Sequence, residues 1–468
     1  MSTQTLHPLD LEPSLLHPQT YATRRFVRVD AATVLCVMVA LLLVIPAWLI
    51  VPGMTDIGRP GLVVGLVLWF WWMLARLNPR LVLVGPQPIR WAVLAYGLSL
   101  IVSYAVGYLR GLTAMEANGA DRAMIFAGAF TGVILMTADG VRNWARLRRL
   151  LAVLVTCAAF VGLVAIIQFV TRDDITRYLS FPGLEVKGVV PDFQYRGAAI
   201  RVASTTTHYI ELSMVMVTVL PFAIHLARYA QTSRMRQVYA FAALLIAGAI
   251  PATVSRTGFL ALAIVLLCLT PMWTWRYRYN MIVTAGLLVA AAVAAKPSLT
   301  STVFDMFASA EEDSSITART ERYEMVAHYF NQRPWFGRGT GTWIYPMYQY
   351  LDNQWLSHAV SNGLVGVAAL AALHITAITL AVLALRRATR PADKDICAAL
   401  VATQLVAVLG SATFDSFAFT TYTCLLAVMV GLCGTVWRFT HPARAVRTAV
   451  ASGLVDEAAL VGGSTVKK

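Results

Sequence analysis

The chain has 468 residues, of which 58% are hydrophobic and only 13% are charged. Soluble domains are about 45–50% apolar and about 25% charged, so the composition excludes an ordinary soluble domain. The formal charge of +14 does not indicate nucleic-acid binding, because no basic stretch is long enough to follow a phosphate backbone. Membrane proteins collect Lys and Arg on their cytoplasmic segments, and this explains the charge.

Twelve apolar blocks predict an all-α polytopic membrane protein. Most are roughly 18–25 residues long, enough for a helix to cross a ~30 Å hydrocarbon core. The block at 356–385 is too long for one straight crossing, so either its first turns project beyond the membrane or the helix is tilted. The predicted helices are 31–51, 60–77, 90–109, 123–138, 149–170, 208–227, 237–254, 257–273, 279–295, 356–385, 396–412 and 417–437.

Basic residues on the short connections place both termini in the cytoplasm. Residues 1–30 are then a cytoplasmic N-terminal tail, 31–437 the membrane domain and 438–468 a cytoplasmic C-terminal tail. Two long segments, about 171–207 and 296–353, fall on the external side. Long connections in compact proteins are usually either functional or disordered, and the aromatic and proline content of these two predicts order.

The second long segment, between predicted helices 9 and 10, is partly helical. Residues 315–331 have the apolar spacing of an amphipathic helix, and a glycine-rich turn at 337–341 follows it. Trp335 and Trp343 lie in and after this turn. Aromatic faces suit sugar rings, although both side chains could instead form the core of the loop itself.

Four arginines lie outside, beside helix ends or in the long segments: Arg201, Arg256, Arg319 and Arg338. The planar donors of a guanidinium suit phosphate oxygens, and several converging on one place would suit an anionic lipid head group. The alternative is that each arginine only reaches out to lipid phosphates.

Candidate proton acceptors are His208, Glu211 and Asp352. His208 and Glu211 are three residues apart at the start of a helix and therefore share one face. Beside an arginine, either could take a proton from a sugar hydroxyl; the alternative is a hydrogen-bonded interfacial pair. The acidic runs at 173–174 and 311–313 are typical of solvated loops, so no metal site is predicted.

Four segments resemble the O-antigen ligase/polymerase superfamily, in the order in which that family has them. They are RVASTTTHYIE at 201–211, SRTG at 255–258, Arg319 followed by RPWFGRGTG at 333–341, and DNQWL at 352–356 followed by NGLVG at 362–366. The resemblance covers about 201–366.

Three positions depart from the family pattern. Ser204 stands where a glycine is common, and Tyr209 where a proline is common. The histidine that ligases acting on lipid A core carry near the position of Asp352 is absent. This favours a polymerase, or a ligase that uses another acceptor.

The resemblance implies a metal-independent membrane glycosyltransferase with no cofactor. Its donor would be a polyprenyl-pyrophosphate-linked glycan, and its acceptor a glycan or glycolipid at the external, periplasmic face of the bacterial plasma membrane. The four arginines would bind the pyrophosphate, and His208, Glu211 or Asp352 would take the proton. Trp335 and Trp343 would cover the glycan. Other expected partners are membrane lipids and proteins of envelope assembly, with no nucleic acid.

Two other readings stay open. Twelve helices with both ends inside are also the layout of a transporter or lipid-linked glycan flippase. Against this, the candidate charges gather on one face rather than in mid-membrane. A non-catalytic scaffold of an envelope-assembly complex would have the same sequence features.

Overall fold

The computed structural model of the protein describes residues 29–54, 57–77, 86–188, 190, 192–196, 199–295 and 314–442. These ranges hold thirteen α-helices. They are α1 (Ala31–Val44), α2 (Pro60–Arg76), α3 (Pro88–Arg110), α4 (Ala114–Gly140), α5 (Trp144–Thr171), α6 (Tyr209–Tyr229), α7 (Ser233–Ala252), α8 (Arg256–Leu269), α9 (Trp275–Ala295), α10 (Ser314–Gln332), α11 (Gln354–Arg387), α12 (Pro391–Thr413) and α13 (Thr420–Thr440).

Eight of these helices are long and apolar enough to cross a membrane, which makes the protein a polytopic membrane protein. They are α3, α4, α5, α6, α7, α11, α12 and α13. The centre of the bundle is formed by α6 and α13, whose side chains are almost all buried. The amphipathic helix predicted between helices 9 and 10 is confirmed as α10.

Short strands join the connections between helices. Strand β1 (Leu49–Ile50) pairs antiparallel with β2 (Glu185–Val186), and β3 (Gln194–Arg196) pairs antiparallel with β4 (Ala199–Arg201). The first predicted helix, 31–51, is therefore too long: α1 ends at Val44. Pro46 follows and has no N–H to continue the helix, and the chain then enters β1.

Helix starts follow local chemistry. The side chain of Asp30 accepts the N–H of Thr33 at the start of α1, and Asn143 accepts that of Arg146 at the start of α5. Thr113 and Glu116 form a reciprocal capping box at the start of α4. Such caps satisfy backbone donors that a helix start leaves without partners.

The bundle has two chemically different ends. At one, here called the termini end, buried or half-buried acids hold arginines from neighbouring helices. Asp139 accepts from Arg76 and Arg90 at 2.8 Å each, and Asp395 accepts from Arg228 at 2.5 Å. His225 places its Nδ1 2.8 Å from the other oxygen of Asp395. The opposite end, here called the long-loop end, carries the described residues of the 172–208 connection and residues 314–353.

Helix α11 is broken rather than straight. Gly363 has φ +65° and ψ −166°, and the chain folds back so that the ring centroids of Trp355 and His374 lie 6.0 Å apart. A straight helix would separate these two residues by about 28 Å. A break at Gly363 therefore explains the length of this block. That its first turns project beyond the membrane, or that the helix is tilted, stays a prediction.

The break is made by the glycine-rich turn, which packs directly against it. A Cβ on Gly363 would lie 2.4 Å from the carbonyl carbon of Trp335. The backbone groups freed by the break are satisfied by the turn: Val360 and Ser361 accept the N–H groups of Arg338 and Gly339 at 3.0 and 2.9 Å. Polar backbone can lie among membrane helices only when it is paired in this way.

Candidate active site

The long-loop end carries a cleft of about 410 Å³, part of it open to solvent. Its wall comes from the 172–208 connection, the end of α5 and the residue before β1. The lining residues are mainly polar and aromatic: Trp48, Gln168, Asp174, Asp192, Phe193, Gln194, Arg201, Thr206, Thr207, His208 and Tyr209, with Ala203 and Ser204.

Arg201 is positioned by the strand that it ends and by one aromatic ring. Its guanidinium carbon lies 4.2 Å from the centre of the Tyr209 ring. The next residue, Val202, donates its N–H to the carbonyl of Ala252 at 3.5 Å. This bond ties the segment that bears Arg201 to the end of α7, four residues before Arg256.

His208 caps α6 and is half-buried. Its Nδ1 accepts the N–H of Ile210 at 3.2 Å, which places the proton of the neutral ring on Nε2. Burial, with Arg201 nearby, lowers the pKa of His208 to about 4, although the charges of Glu211 and Asp352 oppose the shift. The neutral ring is therefore a hydrogen-bond donor through Nε2 at neutral pH, and its only basic nitrogen is already occupied.

Glu211 is fully buried and faces the protein rather than the cleft. One carboxylate oxygen accepts the N–H and the hydroxyl of Thr207 at 2.9 and 2.6 Å, and the other accepts the N–H of Tyr422 at 3.1 Å. Arg59, which donates to the hydroxyl of Thr421 at 2.8 Å, lies near enough to interact with its charge. Glu211 thus joins the starts of α6 and α13.

Arg256 begins α8, where Ser255 caps the helix by accepting the N–H of Gly258 at 3.4 Å. The turn before it is strained, because Val254 has φ +48° and is fully buried. A β-branched residue rarely adopts this conformation. Val254 packs against Ala199 of β4, so the turn that carries Arg256 lies against the strand that leads to Arg201.

A left-handed residue that is not glycine occurs in each of three segments of the site. Ser204 has φ +54°, Val254 +48° and Asp352 +50°. Because the backbone of Ser204 is left-handed, a glycine would suit this position. Here the Ser204 hydroxyl donates to the carbonyl of Val161 at 2.8 Å. Such strain persists only where the surroundings hold the backbone, and it is common at functional sites.

Asp352 contacts Arg322, which is not among the four arginines predicted from the sequence. Arg322 donates from Nη1 to Asp352 Oδ2 at 2.5 Å, and the Asp352 side chain is 47% exposed. The structure describes the backbone of Arg319, which belongs to α10, but not its side chain. The contact with Arg322 brings α10 to the segment that precedes α11.

Arg338 is not among the residues that line the cleft. Its Nη2 donates to the hydroxyl of Tyr348 at 2.5 Å and lies 3.7 Å from a carboxylate oxygen of Glu116. The guanidinium also lies over the Tyr329 ring, 4.9 Å from its centre. These contacts tie the glycine-rich turn to α4 and to α10.

The two tryptophans differ in exposure. Trp335 is 63% exposed. Trp343 stacks on Tyr348 at 4.4 Å and donates its Nε1 hydrogen to the carbonyl of Gln349 at 2.8 Å. Trp343 therefore belongs to the core of the loop, whereas Trp335 presents an open aromatic surface.

Sequence reasoning missed three charged residues at this end: Arg59, Arg322 and Asp415. Asp415 lies between α12 and α13, and its Oδ2 accepts the N–H of Asp352 at 3.1 Å. Burial beside Asp352 raises the pKa of Asp415 to about 6. The rule that charges at helix ends in membranes are functional candidates would have selected Arg59 and Asp415.

No three His, Cys, Asp or Glu side chains converge within the part of the chain that the structure describes. Metal independence of the reaction stays a prediction from the resemblance.

These features define a polytopic membrane protein with a polar cleft, lined by Arg201 and His208, and a carboxylate pair at one end of its bundle. A search of curated proteins finds no match to the chain. Residues 241–371 match the model of the O-antigen ligase family, so the chain carries an O-antigen ligase domain, a domain of an enzyme family with ligase- or polymerase-type activity. The matched range contains Arg256, Arg338 and Asp352 and excludes Arg201, His208 and Asp415.

Proposed function

We propose that the protein transfers a glycan from a polyprenyl-pyrophosphate carrier to an acceptor sugar on the outer face of the bacterial plasma membrane. One observation carries the proposal. Arg201, oriented by Tyr209, lines an open cleft with His208, and its strand packs against the turn that carries Arg256, inside the O-antigen ligase domain.

In this proposal the chain crosses the membrane twelve times, with both tails in the cytoplasm and the long-loop end outside. The acid–arginine clusters at the termini end support the orientation, because arginines concentrate on the cytoplasmic side. The cleft then opens where a lipid carrier presents its head group after crossing the membrane.

The chemistry requires a cationic environment for the leaving group. As the bond between sugar and phosphate breaks, negative charge grows on the pyrophosphate, and preorganised donors lower the barrier by stabilising that charge. Arg201 and Arg256 supply guanidinium donors, and His208 adds a neutral N–H donor at Nε2. Arg319 stays a candidate for the same role. Trp335 offers its exposed face to the glycan.

Two of the predicted roles change in this proposal. Glu211 acts as a structural anchor, because its carboxylate already accepts three hydrogen bonds. Arg338 anchors the glycine-rich turn through Glu116 and Tyr348. Of the three candidate proton acceptors, Asp352 is the one whose carboxylate remains exposed.

The test compares Arg201→Ala and Arg256→Ala with native protein in a null strain, at equal membrane abundance. Arg172→Ala is the matched control, because Arg172 is exposed at the same end and outside the cleft. We expect Arg201→Ala and Arg256→Ala to accumulate lipid-linked glycan on the outer face and to lose the finished glycan, while the control behaves as native. Accumulation on the cytoplasmic face would establish a flippase instead. Unchanged glycans in both variants would overturn the assignment.

A further inference from the structure

Two carboxylates, Asp352 and Asp415, meet where the segment before α11 touches the connection between α12 and α13. The N–H of Asp352 donates to Oδ2 of Asp415 at 3.1 Å. Asp352 has a left-handed backbone, φ +50°, so this bond holds a conformation that a non-glycine residue does not favour. The Asp352 carboxylate then faces Arg322, 2.5 Å away.

The three candidate proton acceptors differ in how many of their lone pairs already accept hydrogen bonds. Glu211 accepts three hydrogen bonds and is fully buried. The basic nitrogen of His208 accepts the N–H of Ile210. Among the residues whose side chains the structure describes, Asp352 accepts only from Arg322, on its Oδ2, and its side chain is 47% exposed. A general base needs a free lone pair within about 2.6–3.2 Å of the hydroxyl, and of the three candidates Asp352 is the one that offers an exposed carboxylate oxygen.

The buried carboxylate of Asp415 lowers the stability of the folded protein. Its Oδ1 is buried and accepts no hydrogen bond from the residues that the structure describes. A buried acceptor without a partner destabilises a folded protein, and an ionised one does so more strongly. The position therefore serves something other than stability.

We propose that Asp352 accepts the proton of the acceptor hydroxyl and that Asp415 is the positioning residue that fixes the backbone of Asp352. This inference rests on the proposed function. The hydroxyl oxygen forms the new bond to the anomeric carbon, its proton moves to an oxygen of Asp352, and the bond from that carbon to the phosphate oxygen breaks with its electron pair on the pyrophosphate.

The charged groups around the pair fit these roles. Arg322 on α10 lies 2.5 Å from Asp352. His208, at the start of α6, lies near enough to Asp352 and Arg201 for their charges to act on it. Because burial lowers the pKa of His208 to about 4, whereas the pKa of Asp415 is raised to about 6, a transition near pH 6 belongs to Asp415.

The direction of the pH effect follows. Asp415 has a pKa of about 6 in the folded protein. Below that pH Asp415 gains a proton, and the N–H of Asp352 loses the charged acceptor that holds its left-handed backbone in place. The transfer rate is therefore expected to fall as the pH drops through about 6.

The experiment uses the full chain purified into lipid nanodiscs, with lipid-linked glycan extracted from the null strain as donor. Asp415→Asn keeps an oxygen for the N–H of Asp352 and removes only the charge, whereas Asp415→Ala removes both. We expect Asp415→Asn to lower kcat about tenfold at unchanged KM and to abolish the acid limb near pH 6. Asp415→Ala should lower kcat about a hundredfold, within the range of a lost general base. Asp173→Asn, an exposed acid at the same end, should match native protein.

Thermal unfolding between pH 4 and 7 supplies a readout that needs no substrate. A buried carboxyl whose pKa is raised to about 6 binds a proton more tightly folded than unfolded, so native protein should lose stability as the pH rises from about 4 to 6. Asp415→Asn should remove this slope and be more stable than native protein at pH 7.

Each result has a distinct meaning. If Asp415→Asn keeps the native stability slope, or removes it while the rate and its pH profile stay native, the role of Asp415 is overturned. If native protein transfers no glycan, the proposed function fails and the role of Asp352 falls with it, while the stability slope still reports the buried carboxyl.

Discussion

The guanidinium carbon of Arg201 lies 4.2 Å from the centre of the Tyr209 ring. Cation–π contacts contribute about 0.5–2 kcal/mol, depending on exposure. The contact connects the end of β4 to the first residue of α6.

Replacing the ring by an aliphatic side chain should therefore weaken the cleft. We expect Tyr209→Leu to reduce kcat/KM for glycan transfer about 2- to 30-fold, the equivalent of that contact energy. Tyr209→Phe keeps the aromatic face and should stay within about twofold of native protein. Equal losses in both variants would show that the hydroxyl, and not the ring, matters.

Glu211 should matter for stability. Glu211→Gln puts an amide N–H group against a backbone N–H donor and removes the negative charge near Arg59. Breaking a buried charge interaction typically costs about 3–5 kcal/mol. We expect a clear drop in the unfolding temperature of the purified protein, measured by intrinsic fluorescence. The exposed Glu185 supplies the control: Glu185→Gln should unfold as native protein does.

The close approach of α3 to the glycine-rich turn predicts a local steric limit. A Cβ on Gly107 would lie 2.9 Å from the Cα of Gly339, whereas a Cβ on Gly97 of the same helix would meet nothing within 4 Å. Gly107→Ala should destabilise the protein by about 1–3 kcal/mol through overpacking. Gly97→Ala should be neutral or slightly stabilising, because alanine favours a helix. Thermal unfolding of both variants decides, and equal effects would contradict the packing described.

The two tryptophans of the loop should separate binding from stability. Trp335→Ala removes an exposed ring and is expected to raise KM for the glycan several-fold at an unchanged unfolding temperature. Trp343→Ala removes a stacked ring from the loop core and should cost roughly 3 kcal/mol of stability. Parallel measurements of transfer kinetics and unfolding check both. A lower unfolding temperature in Trp335→Ala would mean that its ring is structural.

The helices could be predicted from the sequence because apolar length is a local property. The prediction placed α10 within one residue at each end. The break of α11 could not be predicted in this way. Gly363 resembles any glycine in an apolar run, and only the backbone of a segment some 25 residues earlier, at Trp335 and Gly337, bends the helix there.

Only part of the site could be predicted, because residue type and position can be read from the sequence but contacts between distant segments cannot. Arg201, His208 and Asp352 were selected by residue type and position, and the structure brings the first two into one cleft. Their partners could not be read from sequence. Arg322 rather than Arg319 is the arginine seen in contact with Asp352, and Asp415 is joined to Asp352 only by the packing of the last two helices.

The pairing of the glycine-rich turn with the break in α11 limits how this protein can be recombined. Arg338 and Gly339 donate to the carbonyls of Val360 and Ser361, and Leu364 and Val365 donate back to those of Pro334 and Trp335 at 2.7 and 3.1 Å. A hybrid that takes the loop from one relative and the following helix from another would have to recreate four matched backbone contacts at once. The glycine-rich turn and the first half of α11 are thus structurally interdependent. Hybrid proteins made to change substrate choice should fold only when both segments come from the same relative.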